Sequence, residues 1–246
     1  TKGNHPANAN RFYDWNSWED ENGGSPAVLF NPNPWEVEAD VWITRDITGA
    51  EDEGGNPLVW QRVRADQTCN AGRDDYKSIL RVNLPPMGYR TVFLYRHREI
   101  PSPDTGRRLS GSAHFLENDW YRLEMDPTDG SILHLWDNRT RKEIFSGNAA
   151  RAEVIEDFHN DTWAHGTVFL NQVIGCFGKA KFSLLERGPV RAVLRAVSSY
   201  EDSTLTQDFI LYRDRPSIDV QVHIDWREKF KICKLAFPVA VSEPEV

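Results

Sequence analysis

EDSTLTQDFILYRDRPSIDVQVHIDWREKFKICKLAFPVAV, residues 201–241, is the stretch whose reading decides the fold. It holds three runs of alternating apolar and polar residues in series, each ended by a turn or a polar patch. In the second run Ile218, Val220, Val222 and Ile224 fall on one side, and Asp219, Gln221, His223 and Asp225 on the other. A two-residue period puts one face in a core and the other in water, as a half-buried antiparallel strand requires. Arg213-Asp214-Arg215-Pro216 supplies the break before it, because proline cannot donate to a central ladder and aspartate readily bonds its own backbone. The stretch predicts a meander in a large β-sandwich.

The same alternation extends towards the N-terminus. KFSLLERGPVRAVLRAVSSY (181–200) reads as a strand, a Gly188-Pro189 break and a long second strand. HFLEN and WYRLEMD pair around Asn118-Asp119, the turn PTDG leads into SILHLWD, and NRT turns into KEIFSG. Residues 151–178 are less regular. Residues 26–98 form a first β unit, and its strands YKSILRVNL and YRTVFLYRHR are joined by Pro85-Pro86-Met87-Gly88. Residues 99–112, rich in Pro, Gly and Ser, are the expected linker, and 113–246 the larger sandwich, read as truncated at its C-terminus. Residues 1–25 read as a polar arm whose Phe12, Tyr13, Trp15 and Trp18 are expected to dock on something. No sustained helical period and no fixed repeat is present, so the fold class is all-β: a small sandwich followed by a large antiparallel one.

A chain of 246 residues with 39% apolar and 27% charged content is a globular protein with room for sizeable cores. No apolar stretch reaches the roughly 20 residues that span a bilayer, so no membrane partner is expected. The net charge of −8, with acids and bases interspersed, disfavours nucleic acid, whose phosphates call for a basic face. Cys69, Cys176 and Cys233 are widely spaced and show no metal-ligand spacing, so reduced thiols in a cytoplasmic protein are expected, with secretion and one disulfide left open. The first residues, TKGNHPANAN, lack an initiator Met and a signal pattern and read as the cut end of something longer.

Six phrases stand in an order that carries a resemblance: VLFNPNPWE (28–36), LPPMGYRTVFL (84–94), LENDWYRLEMDPTDGSILHLWDNRTRKEI (116–144), ERGPVRAVLRA (186–196), STLTQDFILYRDRP (203–216) and IDVQVHIDWREKFKICKLAFPV (218–239). Together they resemble the C-terminal β region of glycoside hydrolase family 38, the α-mannosidases, from about residue 26 onward. The resemblance implies a small β domain before a mutarotase-like supersandwich. It also implies retaining hydrolysis of α-linked mannose by an aspartate nucleophile, an acid/base carboxylate and a zinc ion. These belong to an N-terminal α/β-barrel that nothing in this chain matches, so no catalytic residue, metal ligand or cofactor is assigned here. The implied partners are that catalytic barrel and α-mannosides. Oligomeric state, linkage preference and natural substrate are not set by the sequence.

The loop EDFHNDTWAHG (156–166) is the densest polar cluster. His159, Asp161 and His165 with Asp157 evoke a metal site, but on an extended backbone this spacing fixes no tetrahedron. The resemblance implies that Asp157, Asp161, Trp163 and His165 line the substrate cleft; the alternative is a loop that satisfies only itself. Trp60, Trp120, Trp136 and Trp226 are expected in cores. Glu117, Asp119, Asp126, Asp129, Glu201 and Asp202 are expected as solvated turn residues rather than as a catalytic pair, which needs two carboxyls about 5 Å apart. No nucleophile elbow, phosphate loop or zinc-protease motif occurs. Two rival functions remain: a carbohydrate-binding module with an exposed aromatic platform, and a mutarotase-like epimerase drawing on His114, His134 or His223.

Overall fold

The computed structural model describes residues 24–44, 46–64, 76–157, 163 and 169–241. Among them there is no helix, and every strand pairing is antiparallel, so the all-β class holds. The chain divides into two compact units. One runs to Gly106 and also takes in Gly188–Val190; the other comprises Arg107–Arg187 and the residues from Arg191 onward.

The first unit contains β1 (Ser25–Asn31), β2 (Val37–Ile43), β3 (Gly49–Asp52), β4 (Val59–Arg64), β5 (Tyr76–Leu84) and β6 (Gly88–Tyr95). They form two three-stranded sheets, β1-β6-β3 and β2-β5-β4. Alternate residues Leu80, Val82 and Leu84 of β5 meet Val92 and Leu94 of β6 in one buried cluster, which makes a small sandwich. Asn31 fixes the end of β1: its Nδ2 donates to the carbonyls of Trp35 and Pro85 at 2.8 and 3.0 Å. The other side of this sheet carries exposed apolar side chains. Val28, Phe30 and Tyr89 share it in register, Phe30 is 71% exposed, and its ring lies 5.8 Å from that of Tyr89.

The second unit contains β7 (Leu109–Gly111), β8 (Phe115–Asn118), β9 (Tyr121–Met125), β10 (Ile132–Asp137), β11 (Lys142–Glu143), β12 (Arg151–Glu156), β13 (Val173–Cys176), β14 (Gly178–Arg187), β15 (Arg191–Tyr200), β16 (Ser203–Tyr212), β17 (Ile218–Asp225) and β18 (Lys231–Ala236). They build a five-stranded sheet β11-β10-β9-β8-β7, a four-stranded sheet β14-β15-β16-β17 and a three-stranded sheet β13-β12-β18. Leu116, Leu123, Met125, Ile132 and Leu135 from the first pack with Ala192, Leu194, Ala196, Phe209 and Leu211 from the second. The third sheet has its own core of Ala152, Val154, Phe177 and Leu205, with Trp226, Cys233 and Leu235 against it. Asn118 ties the first two sheets together. Its Nδ2 donates to the Tyr212 carbonyl at 2.7 Å, and its Oδ1 accepts the Trp120 and Tyr121 N–H groups.

Three sequence expectations are corrected. The apolar side of β17 is only half covered: Ile218 and Val220 join the core, but Val222 and Ile224 are exposed. Among the described residues β17 is the outer strand of its sheet. Trp136 is exposed too. A bulge between Ile132 and His134 puts Ile132 and Leu135, three apart, on the core side and turns Leu133, His134 and Trp136 out. Glu117, finally, is no solvated turn residue. It sits within β8 with a buried carboxylate held by Arg108 at 2.9 Å and Arg122 at 3.1 Å.

Candidate functional site

The loop singled out in the sequence leaves the sheet at the C-terminal end of β12. There Glu156 N–H donates to the Gln172 carbonyl at 3.0 Å, and Asp157 N–H donates to the Phe230 carbonyl at 2.9 Å. Asp157 is thereby placed beside the β17–β18 turn, half-buried. The returning chain is held by Lys234, whose ammonium donates to the Leu170 carbonyl at 2.6 Å. Trp163 is 80% exposed, and Phe169 is exposed on the return limb. His159, Asp161 and His165 lie outside the described residues, so the expected cleft set is placed only for Asp157 and Trp163.

The β17–β18 turn brings in residues that the loop motif did not announce. Phe230 adopts φ +54°, in the left-handed region that bulky side chains rarely occupy, and is 62% exposed. Its carbonyl is the one that receives Asp157 N–H. Next to it Lys231 Nζ pairs with Glu201 Oε2 at 2.8 Å and Glu228 Oε2 at 3.3 Å. Ser203 Oγ donates to Glu228 Oε1 at 2.9 Å and accepts Arg227 N–H. The hydrogen bond to Glu201 raises the lysine above its ordinary value. Burial pushes the Glu228 carboxyl up, but the Ser203 hydroxyl and neighbouring donors outweigh it and leave it below the ordinary carboxylate range. The polar break Asp225-Trp226-Arg227-Glu228-Lys229-Phe230 between two strands was the available signal for this turn.

A testable pH dependence follows from these two shifts. The depressed Glu228 value contributes stability above the unfolded pKa of about 4.3 that disappears as pH falls through the folded one. The raised Lys231 value contributes below about pH 10 and is lost as pH rises past it. Wild type should therefore melt higher than Glu228→Gln at pH 7, and the two should converge below about pH 4. A gap that persists unchanged to pH 3 would show that the charge on Glu228 is immaterial.

Other sequence candidates lie elsewhere. Asp126 and Asp129 accept the N–H groups of Thr128 and Ser131 within one tight turn, as turn residues do. His134 Nδ1 lies 3.2 Å from Glu143 Oε2 on the exposed side of the five-stranded sheet, His114 packs edge-on to Phe182, and His223 is on β17. Among the described residues no group of three or more His, Cys, Asp or Glu could hold a metal. Among the described residues, Trp163, Phe169 and Phe230 are exposed aromatic side chains, and Phe230 adjoins the ion-paired Lys231.

The sequence model of the glycosyl hydrolases family 38 C-terminal domain matches residues 116–246. None of the curated proteins matches the chain. Among solved structures, an alpha-mannosidase from Enterococcus faecalis V583 is similar with a TM-score of 0.62 and 14% identity, over 89% of this chain and 32% of that one. A protein in the glycosyl hydrolase family 38 from Enterococcus faecalis is similar with a TM-score of 0.60 and 13% identity, over 89% of this chain and 33% of that one. At these identities the likeness is one of fold, and the chain spans about a third of the length of either structure. The matched segment takes in every strand from β9 to β18, including the Asp157 loop base and the Phe230 turn, and on that ground the chain belongs to glycoside hydrolase family 38, of which it carries the C-terminal domain.

Proposed function

We propose that this chain serves an α-mannosidase as its non-catalytic β region, packing against a catalytic domain and lending the Asp157–Trp163 loop to the wall of the substrate cleft. The match of residues 116–246 to the family's C-terminal domain carries the reading. Two features support the division of labour. The face bearing Val28, Phe30 and Tyr89 leaves apolar surface for a partner to cover, and Trp163 is 80% exposed. An indole offers a flat apolar face and an N–H donor, the pairing that a sugar's CH face and hydroxyls need. The zinc and the nucleophile implied by the family resemblance have no ligand set or acid pair assigned among the described residues, so no bond-breaking step is placed on them.

The test compares this chain with the full-length polypeptide on an aryl α-mannoside, with zinc present. Turnover is expected from the full-length polypeptide only. Measurable release of the aryl alcohol by this chain alone would overturn the assignment, and so would an inactive full-length polypeptide containing zinc.

A further inference from the structure

The opposite end of β12 holds a cleft of about 790 Å³, lined by Asp126, Asp129, Asn148, Arg151, Glu153 and Phe237 among others. Arg151 and Glu156 bound β12, so this cleft and the Asp157 loop are about 16 Å apart at 3.3 Å per residue. Its size falls within the roughly 300–1,000 Å³ of small-molecule clefts. We infer that it binds a neutral pyranose, with Phe237 under the sugar's CH face and Asn148, Arg151 and Glu153 on its hydroxyls.

The chemistry of the lining carries this. Arg151 and Glu153 are two apart on β12 and so project on one side of the sheet, away from the core formed by Ala152 and Val154. The guanidinium is oriented from behind: Nη2 lies 3.4 Å from Cys176 Sγ, and Nε 3.4 Å from Asp129 Oδ2. Among the described residues no hydrogen bond engages Nη1 or the Glu153 carboxylate. Asn148 is equally fixed, its Nδ2 donating to Asp126 Oδ2 and Ser131 Oγ at 2.9 Å each, which leaves Oδ1 as an acceptor. Phe237 is 49% exposed and braced by Phe145 at 6.3 Å between ring centroids. A hydroxyl both donates and accepts, so adjacent hydroxyls can accept a hydrogen bond from Arg151 and donate one to Glu153 or to Asn148 Oδ1. An anion suits the cleft poorly, since three acidic residues and one arginine line it.

This inference stands on the cleft and does not require the catalytic reading. Titrating the full chain with methyl α-D-mannopyranoside, followed by saturation-transfer NMR, should show saturable binding with a Kd of about 1–10 mM. Phe237→Ala and Glu153→Gln should each weaken it at least about tenfold, while Phe237→Trp keeps it, because a larger ring preserves the platform. Matching melting temperatures for Glu153→Gln and wild type separate loss of the site from loss of the fold. No saturation up to about 100 mM overturns the inference, as does equal binding by wild type and both weakened variants, or displacement of the glycoside by sulfate.

Discussion

Glu186→Leu is expected to lower the stability of the second unit by about 3–5 kcal/mol. The β14–β15 pairing is closed by a bidentate ion pair in which Arg191 Nε and Nη2 donate to the two Glu186 oxygens at 2.7 and 2.8 Å. Both side chains are at least 90% buried. Burial alone would push the Arg191 guanidinium down, but the carboxylate outweighs it and holds the group above its ordinary value. Removing the carboxylate leaves a buried positive charge without its anionic partner, and that penalty exceeds the strength of the pair itself. The double variant Glu186→Leu/Arg191→Met should accordingly recover most of the loss. Urea unfolding monitored by tryptophan fluorescence reads both effects. A single-variant cost below about 1 kcal/mol, or a double variant no better than the single, would show that the pair is solvated.

Phe209→Ala is the second large loss, again about 3–5 kcal/mol. Phe209 is fully buried, pairs across the sheet with Leu194 and Val220, and belongs to the cluster that joins the five-stranded and four-stranded sheets. Its removal costs the transfer energy of the ring and the cavity left between two sheets that cannot collapse independently. Val222→Ala is the matched control. It lies on the same side of the neighbouring strand, yet at 47% exposure it should change stability by less than about 0.5 kcal/mol. Near-equal costs at the two positions in the same unfolding experiment would mean that the inner side of β17 is covered as fully as that of β16.

Much of the fold was legible because antiparallel strands print their period directly on the sequence. β15, β16 and β17 follow from alternation and from the Gly188-Pro189 and Arg213–Pro216 breaks. What alternation cannot carry is a change of register or a boundary of coverage. One bulged residue in β10 moved Trp136 from core to surface, and the position of β17 at the sheet margin exposed Val222 and Ile224. Glu117 was misread because proximity to a turn says nothing about the two arginines that reach it from Arg108 and Arg122. The loop after β12 was visible as polar density, but its neighbour Phe230 was not, since a left-handed backbone leaves no compositional mark outside Gly and Asn. The Phe237 cleft is harder still: residues 126, 151 and 237 meet only once two separate sheets have formed and come together.

The outermost position of β17 has a consequence beyond the single molecule. Among the described residues β17 has β16 on one side only, so its outward backbone amides and carbonyls are competent to zip onto a second polypeptide, and Val222 and Ile224 would make that union adhesive. Asp219, Asp225 and Arg227 flank the strand with charge, which is how natural proteins discourage such fibril-like growth. A hydrophobic replacement at Gln221 or His223, harmless to the fold, would therefore act on solubility first.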